Sequence, residues 1–133
     1  MMRERDEEIR KIISDTVSAT ILRFKAAGIL RDGEKNAVDK TEELLRQYKT
    51  LQKLDQPYAK ALVGRINECL EDIKDDPYAD IIRLYYFDGL TNAAASDKLF
   101  CDERTGRRNR KRLVKTFAQY LVSEDFIREL LIM

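Results

Sequence analysis

The sequence predicts an all-α protein, on three observations. Turn-forming residues are scarce, with five glycines and two prolines in 133 residues. Apolar residues recur at three- and four-residue spacing along most of the chain. The hydrophobic content of 44% is enough for a core, although the charged fraction of 37% is well above the usual value of about 25%. The length fits one domain, or one domain with an extra arm.

Taken in order, residues 4–30 are expected to form an amphipathic helix, with Ile9, Ile12, Ile13, Val17, Ile21 and Phe24 at helical spacing. Gly28 and RDGEKN (31–36) read as a loop, so 1–36 form an N-terminal helical arm and loop and 37–133 a helical domain. A second helix should run from about Val38 to Leu54, with Leu44, Leu45, Tyr48 and Leu51 on one face. Pro57 suits the first turn of a third helix reaching about Lys74, whose apolar set is Tyr58, Ala61, Leu62, Ile66, Cys69, Leu70 and Ile73. Gly64 within it costs about 1 kcal/mol relative to Ala, which close helix packing would offset.

Asp76 is expected to cap, and Pro77 to open, a fourth helix that buries Ile81, Ile82, Leu84, Tyr85 and Phe87 and ends at a left-handed Gly89. Thr91 can cap the short helix NAAASDKL, with Ala94, Ala95 and Leu99 facing inward. Phe100 and Cys101 form an apolar turn, and Asp102 is a good N-cap for a long helix to Leu121, with Glu103 adding a favourable charge at its start. Gly106, Leu113, Val114, Phe117, Tyr120 and Leu121 make its apolar side. Ser123 caps the C-terminal SEDFIRELLIM, where Phe126, Ile127, Leu130 and Leu131 should pack back on the body or meet a second subunit.

Composition excludes several function classes. There is no histidine, no Gly-rich phosphate loop and no nucleophile motif, so no enzyme and no cofactor or metal site is expected. Cys69 and Cys101 are too few for a disulfide framework and read as reduced, small apolar core residues of a cytoplasmic protein. The charged N-terminus does not read as a signal peptide, and no run approaches the roughly 18 apolar residues of a membrane span. Tyr85 and Tyr86 read as core and rim rather than as stacking groups for bases.

Charge is distributed unevenly. The net value is +1, yet residues 98–115 hold eight Lys/Arg and two acids, leaving the remainder at −5. On a helix over 103–121, Glu103, Arg104, Arg107, Arg108, Lys111 and Lys115 cluster away from the apolar side. A row of one sign repels itself unless a partner neutralises it; phosphates are the natural partner, and a helix fits the DNA major groove. A short helix, a tight turn and a longer basic helix make a helix-turn-helix at about 91–121, with Ala94, Ala95, Ser96 and Gly106 leaving room for a close crossing. Arg110 and Arg112, taken alone, are as well suited to salt bridges with the acidic body.

The stretch FDGLTNAAASDKLFCDERTGRRNRKRLVKTFAQYL resembles region 4 of the sigma-70 family of transcription initiation factors. The shared outline is an aromatic-Asp-Gly-hydrophobic-Thr turn, a small-residue helix ending in Leu, a capped turn, then Thr-x-Arg and a basic helix. It is more similar still to small phage regulators of the RinA and ArpU type, in which ILRFKAAGIL and DKTEELLRQYKTLQ also have counterparts. The resemblance implies a sequence-specific double-stranded-DNA-binding regulator, in the cytoplasm of a bacterial host, that activates phage or prophage late genes for packaging or lysis. By it, Glu103, Arg104, Arg107, Arg108 and Lys111 meet bases and nearby phosphates. Arg107 and Arg108 are the candidates for base reading, since Arg pairs bidentately with guanine. Lys111, Arg112 and Lys115 suit phosphate contacts, and Thr91 and Lys98 could touch the backbone. The resemblance also implies contact with bacterial RNA polymerase, and two-fold operators imply a homodimer. The alternatives are a protein-interaction module that binds RNA polymerase or a sigma factor without binding DNA, and an RNA binder.

Overall fold

The computed structural model describes residues 5–11 and 36–132, apart from the side chain of Leu131. The described residues are helical, without a β-strand. Residues 5–11 form α1, with Ile9 half exposed. The rest of the expected N-terminal helix, with Ile12, Ile13, Val17, Ile21, Phe24 and Gly28, and most of the loop after it lie outside the described residues.

The expected second helix is two helices, α2 (Ala37–Arg46) and α3 (Tyr48–Gln52). Asn36 caps α2 by accepting from the Asp39 N–H at 2.9 Å. The break falls at Gln47, whose N–H donates to the Leu44 carbonyl three residues back, and the ladder restarts with Leu51 donating to Gln47. This tight step keeps Leu44, Leu45, Tyr48 and Leu51 all buried. The Tyr48 ring stacks on Phe87 at 4.2 Å between centroids, and its hydroxyl bonds Asn67.

Helix α4 (Pro57–Asp72) begins on Pro57 as expected and buries Tyr58, Leu62, Ile66, Cys69 and Leu70, with Ala61 half-buried and Ile73 buried just beyond its end. Burial pushes the Cys69 thiol up to about 12. Gly64 corrects an expectation. A Cβ built there would meet nothing within 4 Å among the described residues, so no close packing among them accounts for the glycine.

The next helix starts later than Asp76 and Pro77 imply. The Asp76 carboxylate accepts from the Tyr78 N–H at 2.9 Å and so closes a side-chain turn, and the chain winds through three-residue hydrogen bonds before α5 (Asp80–Ile82). The helix then widens into a π-turn over Arg83–Phe87, where the Asp88 N–H reaches the Arg83 carbonyl five residues back at 2.8 Å. The extra residue per turn shifts the inward face. Ile81, Ile82 and Tyr86 are buried, while Leu84, Tyr85 and Phe87 are half-buried. Gly89, at φ 71°, ends the element as expected.

Thr91 caps α6 (Asn92–Lys98), accepting from Ala94 at 3.1 Å; Ala95 and Ser96 are the buried residues, and Ala94 and Leu99 are partly covered. The turn closes with the Cys101 N–H on the Ser96 carbonyl and the Phe100 N–H on the Asp97 carbonyl, both at 3.1 Å. That is the double bond pattern of a Schellman motif, with Phe100 in the left-handed position at φ 56°. The turn is not an apolar contact: Phe100 is exposed and Cys101 half-buried.

Asp102 caps α7 (Glu103–Leu121), accepting from the Thr105 N–H at 2.7 Å. Hydrogen bonds from Thr105, with smaller contributions from Arg108 and Arg104, hold its carboxyl below the usual range. Helix α7 is central, packing against α2, α4, α5, α6 and α8 (Glu124–Ile132). It buries Leu113, Val114, Phe117 and Leu121. Tyr120 departs from the expected apolar side: it is partly exposed, with the Arg65 guanidinium 5.9 Å from its ring. Ser123 caps α8 through the Phe126 N–H, and Phe126 and Leu130 pack back into the common core.

Helices α6 and α7 meet at Gly106. A Cβ there would lie 2.0 Å from Ser96 Oγ, 3.0 Å from Ser96 Cβ and 3.3 Å from Ile81 Cδ1. The two interior glycines of α4 and α7 therefore predict opposite outcomes. Gly64→Ala should stabilise the fold by about 1 kcal/mol, because the helix gains propensity and the added methyl meets none of the described residues. Gly106→Ala should destabilise it by about 1–3 kcal/mol through overpacking, and adding Ser96→Ala should recover part of that loss. Urea unfolding of the three variants checks both signs.

Candidate nucleic-acid interface

Seven basic residues lie between Arg104 and Lys115, and the structure sorts them into two groups. Arg104, Arg108, Lys111 and Lys115 follow one another at steps of four, three and four residues, which places them in one line along α7. All four are exposed, and none has an ion pair among the described residues. The line spans about 16 Å of helix axis.

The other three arginines each meet an acid of the domain. Arg107 flanks the line and holds Glu103 at 2.9 Å, with both side chains about half exposed. Arg112 is also half exposed and binds Asp76 at 2.9 Å, while its Nε donates to Asn109. Thus the Asp76 carboxylate that closes the turn before α5 also holds the flank of α7.

Arg110 is the one member of the run that points inward, and its side chain is 5% exposed. Its Nη1 donates to Glu42 at 3.2 Å and to the Tyr86 hydroxyl at 2.6 Å. That hydroxyl donates in turn to Glu42 at 2.8 Å. The guanidinium also lies 4.1 Å from the centroid of the Tyr85 ring. Arg46 approaches the same Glu42 oxygen at 3.7 Å and covers the Tyr86 ring from 5.6 Å. Burial raises the Tyr86 hydroxyl well above its ordinary pKa, so it stays protonated and can donate. Glu42, Tyr86 and Arg110 therefore join α2, the π-turn and α7 in one buried polar cluster.

Thr91 is exposed, with its hydroxyl engaged as the cap of α6. Lys98 is exposed at the end of α6. The structure thus brings Glu103, Arg104, Arg107, Arg108, Lys111 and Lys115 onto one outward side of α7, with Arg112 beside them, and leaves Thr91 and Lys98 on the neighbouring helix. The residues not anticipated are Glu42 and Tyr86, and Arg110 in its inward role. Arg110 stands four residues after Gly106 and three before Leu113, in register with the buried side, so its spacing carried the signal.

Chemically, this surface can neutralise and hydrogen-bond a polyanion. The line of fixed cations matches a phosphate backbone in sign, and the helix matches the major groove in width. No cluster of histidine, cysteine or carboxylate groups among the described residues could hold a metal ion, and no helix among them is long and apolar enough to cross a membrane.

The buried cluster gives a stability test. Glu42→Ala leaves the Arg110 charge buried without its carboxylate and should cost about 3–5 kcal/mol. Glu42→Ala/Arg110→Met removes both charges and should be less destabilised than Glu42→Ala alone in denaturant titrations. Compared with known protein families, curated proteins and solved structures, the chain matches none.

Proposed function

We propose that this chain is a sequence-specific double-stranded-DNA-binding regulator of transcription. In this reading α6, the turn at 99–102 and α7 act as a helix-turn-helix of the sigma-70 region 4 kind, and the setting is activation of phage or prophage late genes. The observation that carries the reading is the line Arg104, Arg108, Lys111 and Lys115: four exposed cations at helical spacing, unpaired among the described residues, on a helix whose other side anchors it in the core. A domain that needed these charges only for solubility would gain stability by interspersing acids, as it does for Arg107, Arg110 and Arg112.

Roles follow from position. Arg107 and Arg108, in the second turn of α7, are placed to pair with guanine edges. Glu103, released from Arg107 in the complex, can accept from a cytosine amino group. Lys111 and Lys115 lie further along the helix and meet phosphates, joined by Arg112 if it exchanges Asp76 for the backbone. Contact with RNA polymerase and a dimer on a two-fold operator belong to the same reading.

The test is electrophoretic mobility of a duplex recovered from a randomised pool by the purified chain. Three phosphate contacts, from Lys111, Lys115 and Arg112, should make affinity fall roughly 40-fold between 50 and 200 mM salt. Arg107→Glu/Arg108→Glu should abolish binding with at most a small loss of thermal stability, since the half-exposed pair of Arg107 with Glu103 is worth little. Lys115→Ala should weaken all duplexes alike and flatten the salt dependence by about one unit of slope. Undetectable duplex binding at low salt, with RNA polymerase still captured, would give the function to the protein-interaction alternative.

A further inference from the structure

We propose that Phe100 is a specificity residue of this interface and reads the 5-methyl group of thymine. The inference rests on the DNA-binding reading above and adds to it a residue that no charge argument would select.

Phe100 is 97% exposed, so its ring covers no part of the core. Its backbone sits at φ 56°, the left-handed position of the Schellman turn, where glycine or asparagine is the usual occupant. A bulky side chain in that conformation is strained, and a wholly exposed ring contributes no apolar burial to offset the strain. The strain therefore falls on a side chain that packs on none of the described residues. Strain of this kind is retained where a site uses the side chain.

The place of the residue decides what it would meet. Phe100 lies in the turn that leads directly into α7, between exposed Lys98 and exposed Arg104. In helix-turn-helix docking this is the end of the second helix that comes closest to base edges. The nearest acid in the chain, Asp102, is already engaged as the cap on Thr105. An aromatic ring entering the major groove finds one apolar feature there, the thymine methyl, and contact with it discriminates thymine from the other bases. The ligand class is therefore a duplex with a thymine at the edge of the site that the N-terminal end of α7 reads.

The experiment uses the full chain and a duplex it has selected from a randomised pool. Phe100→Gly and Phe100→Asn both suit the left-handed backbone. Each should raise the melting temperature by about 2–6 °C while weakening the duplex roughly three- to tenfold. Thymine is then replaced by uracil, one position at a time. The wild-type chain should lose about three- to fivefold at one position, and the two variants should lose nothing there. A variant that is stabilised but binds as tightly as wild type, or that keeps the same uracil penalty, overturns the assignment. Loss of RNA polymerase capture with duplex affinity unchanged also overturns it and gives the ring to a protein pocket. If wild type binds and Arg107→Glu/Arg108→Glu abolishes binding while Phe100→Gly has no effect, only this inference fails. If wild type binds no duplex at low salt, the DNA reading fails with it.

Discussion

The buried guanidinium of Arg110 is the constraint on which the presentation of α7 depends. It is one charge in a helix of eighteen other residues, and it is matched by one carboxylate, Glu42, brought from another helix far away in sequence. A buried charge without its partner is costly, so α7 has few acceptable rotations about its own axis. A rotation that withdrew Arg110 would strand Glu42 and the Tyr86 hydroxyl. One that replaced it with Arg108 or Lys111 would carry Leu113 and Phe117 out of the core. The apolar side supplies most of the stabilisation, and the ion pair selects among the orientations that an apolar stripe alone would tolerate. The clamp therefore directs the cation line outward although none of its members is a cation of that line.

A second constraint acts at the end of α7 that follows the turn. Ser96 and Gly106 let the backbones of α6 and α7 approach more closely than a Cβ at 106 would permit. Thr91 and Asp102 fix the start of each helix by capping. The Schellman bonds fix the turn between them. With both helix starts, the crossing point and the turn specified locally, the pair has little freedom left to adjust to a partner. In the proposed DNA complex the helix pair would need little rearrangement, which would lower the ordering cost of association.

The parts of this arrangement that local chemistry controls are legible in the sequence. The caps at Thr91, Asp102 and Ser123, the left-handed Gly89 and the start of α4 on Pro57 were all readable from residue type and spacing, because each needs only neighbours within four positions. The misread parts depend on distant partners. Asp76 reads as a helix cap until Arg112 and the Tyr78 N–H are known to share its carboxylate. The step at Gln47 depends on how Tyr48 meets Phe87 and Asn67. The π-turn moves Tyr86 inward by one residue, which no period of 3.6 anticipates. Gly64 is read as a contact point and meets none of the described residues, whereas Gly106, likewise a helical glycine, is a true point of contact.

The division of the basic run is the strongest link between fold and function. The residues off the outward line, Arg107, Arg110 and Arg112, are the ones given acids, and the acids come from three separate elements: α7 itself, α2 and the turn before α5. The residues on the line, Arg104, Arg108, Lys111 and Lys115, have no ion pair among the described residues, although Asp102 lies close enough to feel the charges of Arg104 and Arg108. A solvated face selected only for solubility would not be sorted by helical angle in this way, since an exposed pair is worth little wherever it lies. Sorting by angle is what a surface requires when one line must stay free for phosphates while its flanks must not repel the body. The near-neutral total charge then has a physical meaning. In the proposed complex, the acidic remainder of the chain would disfavour contact of a polyanion elsewhere and favour the face of α7.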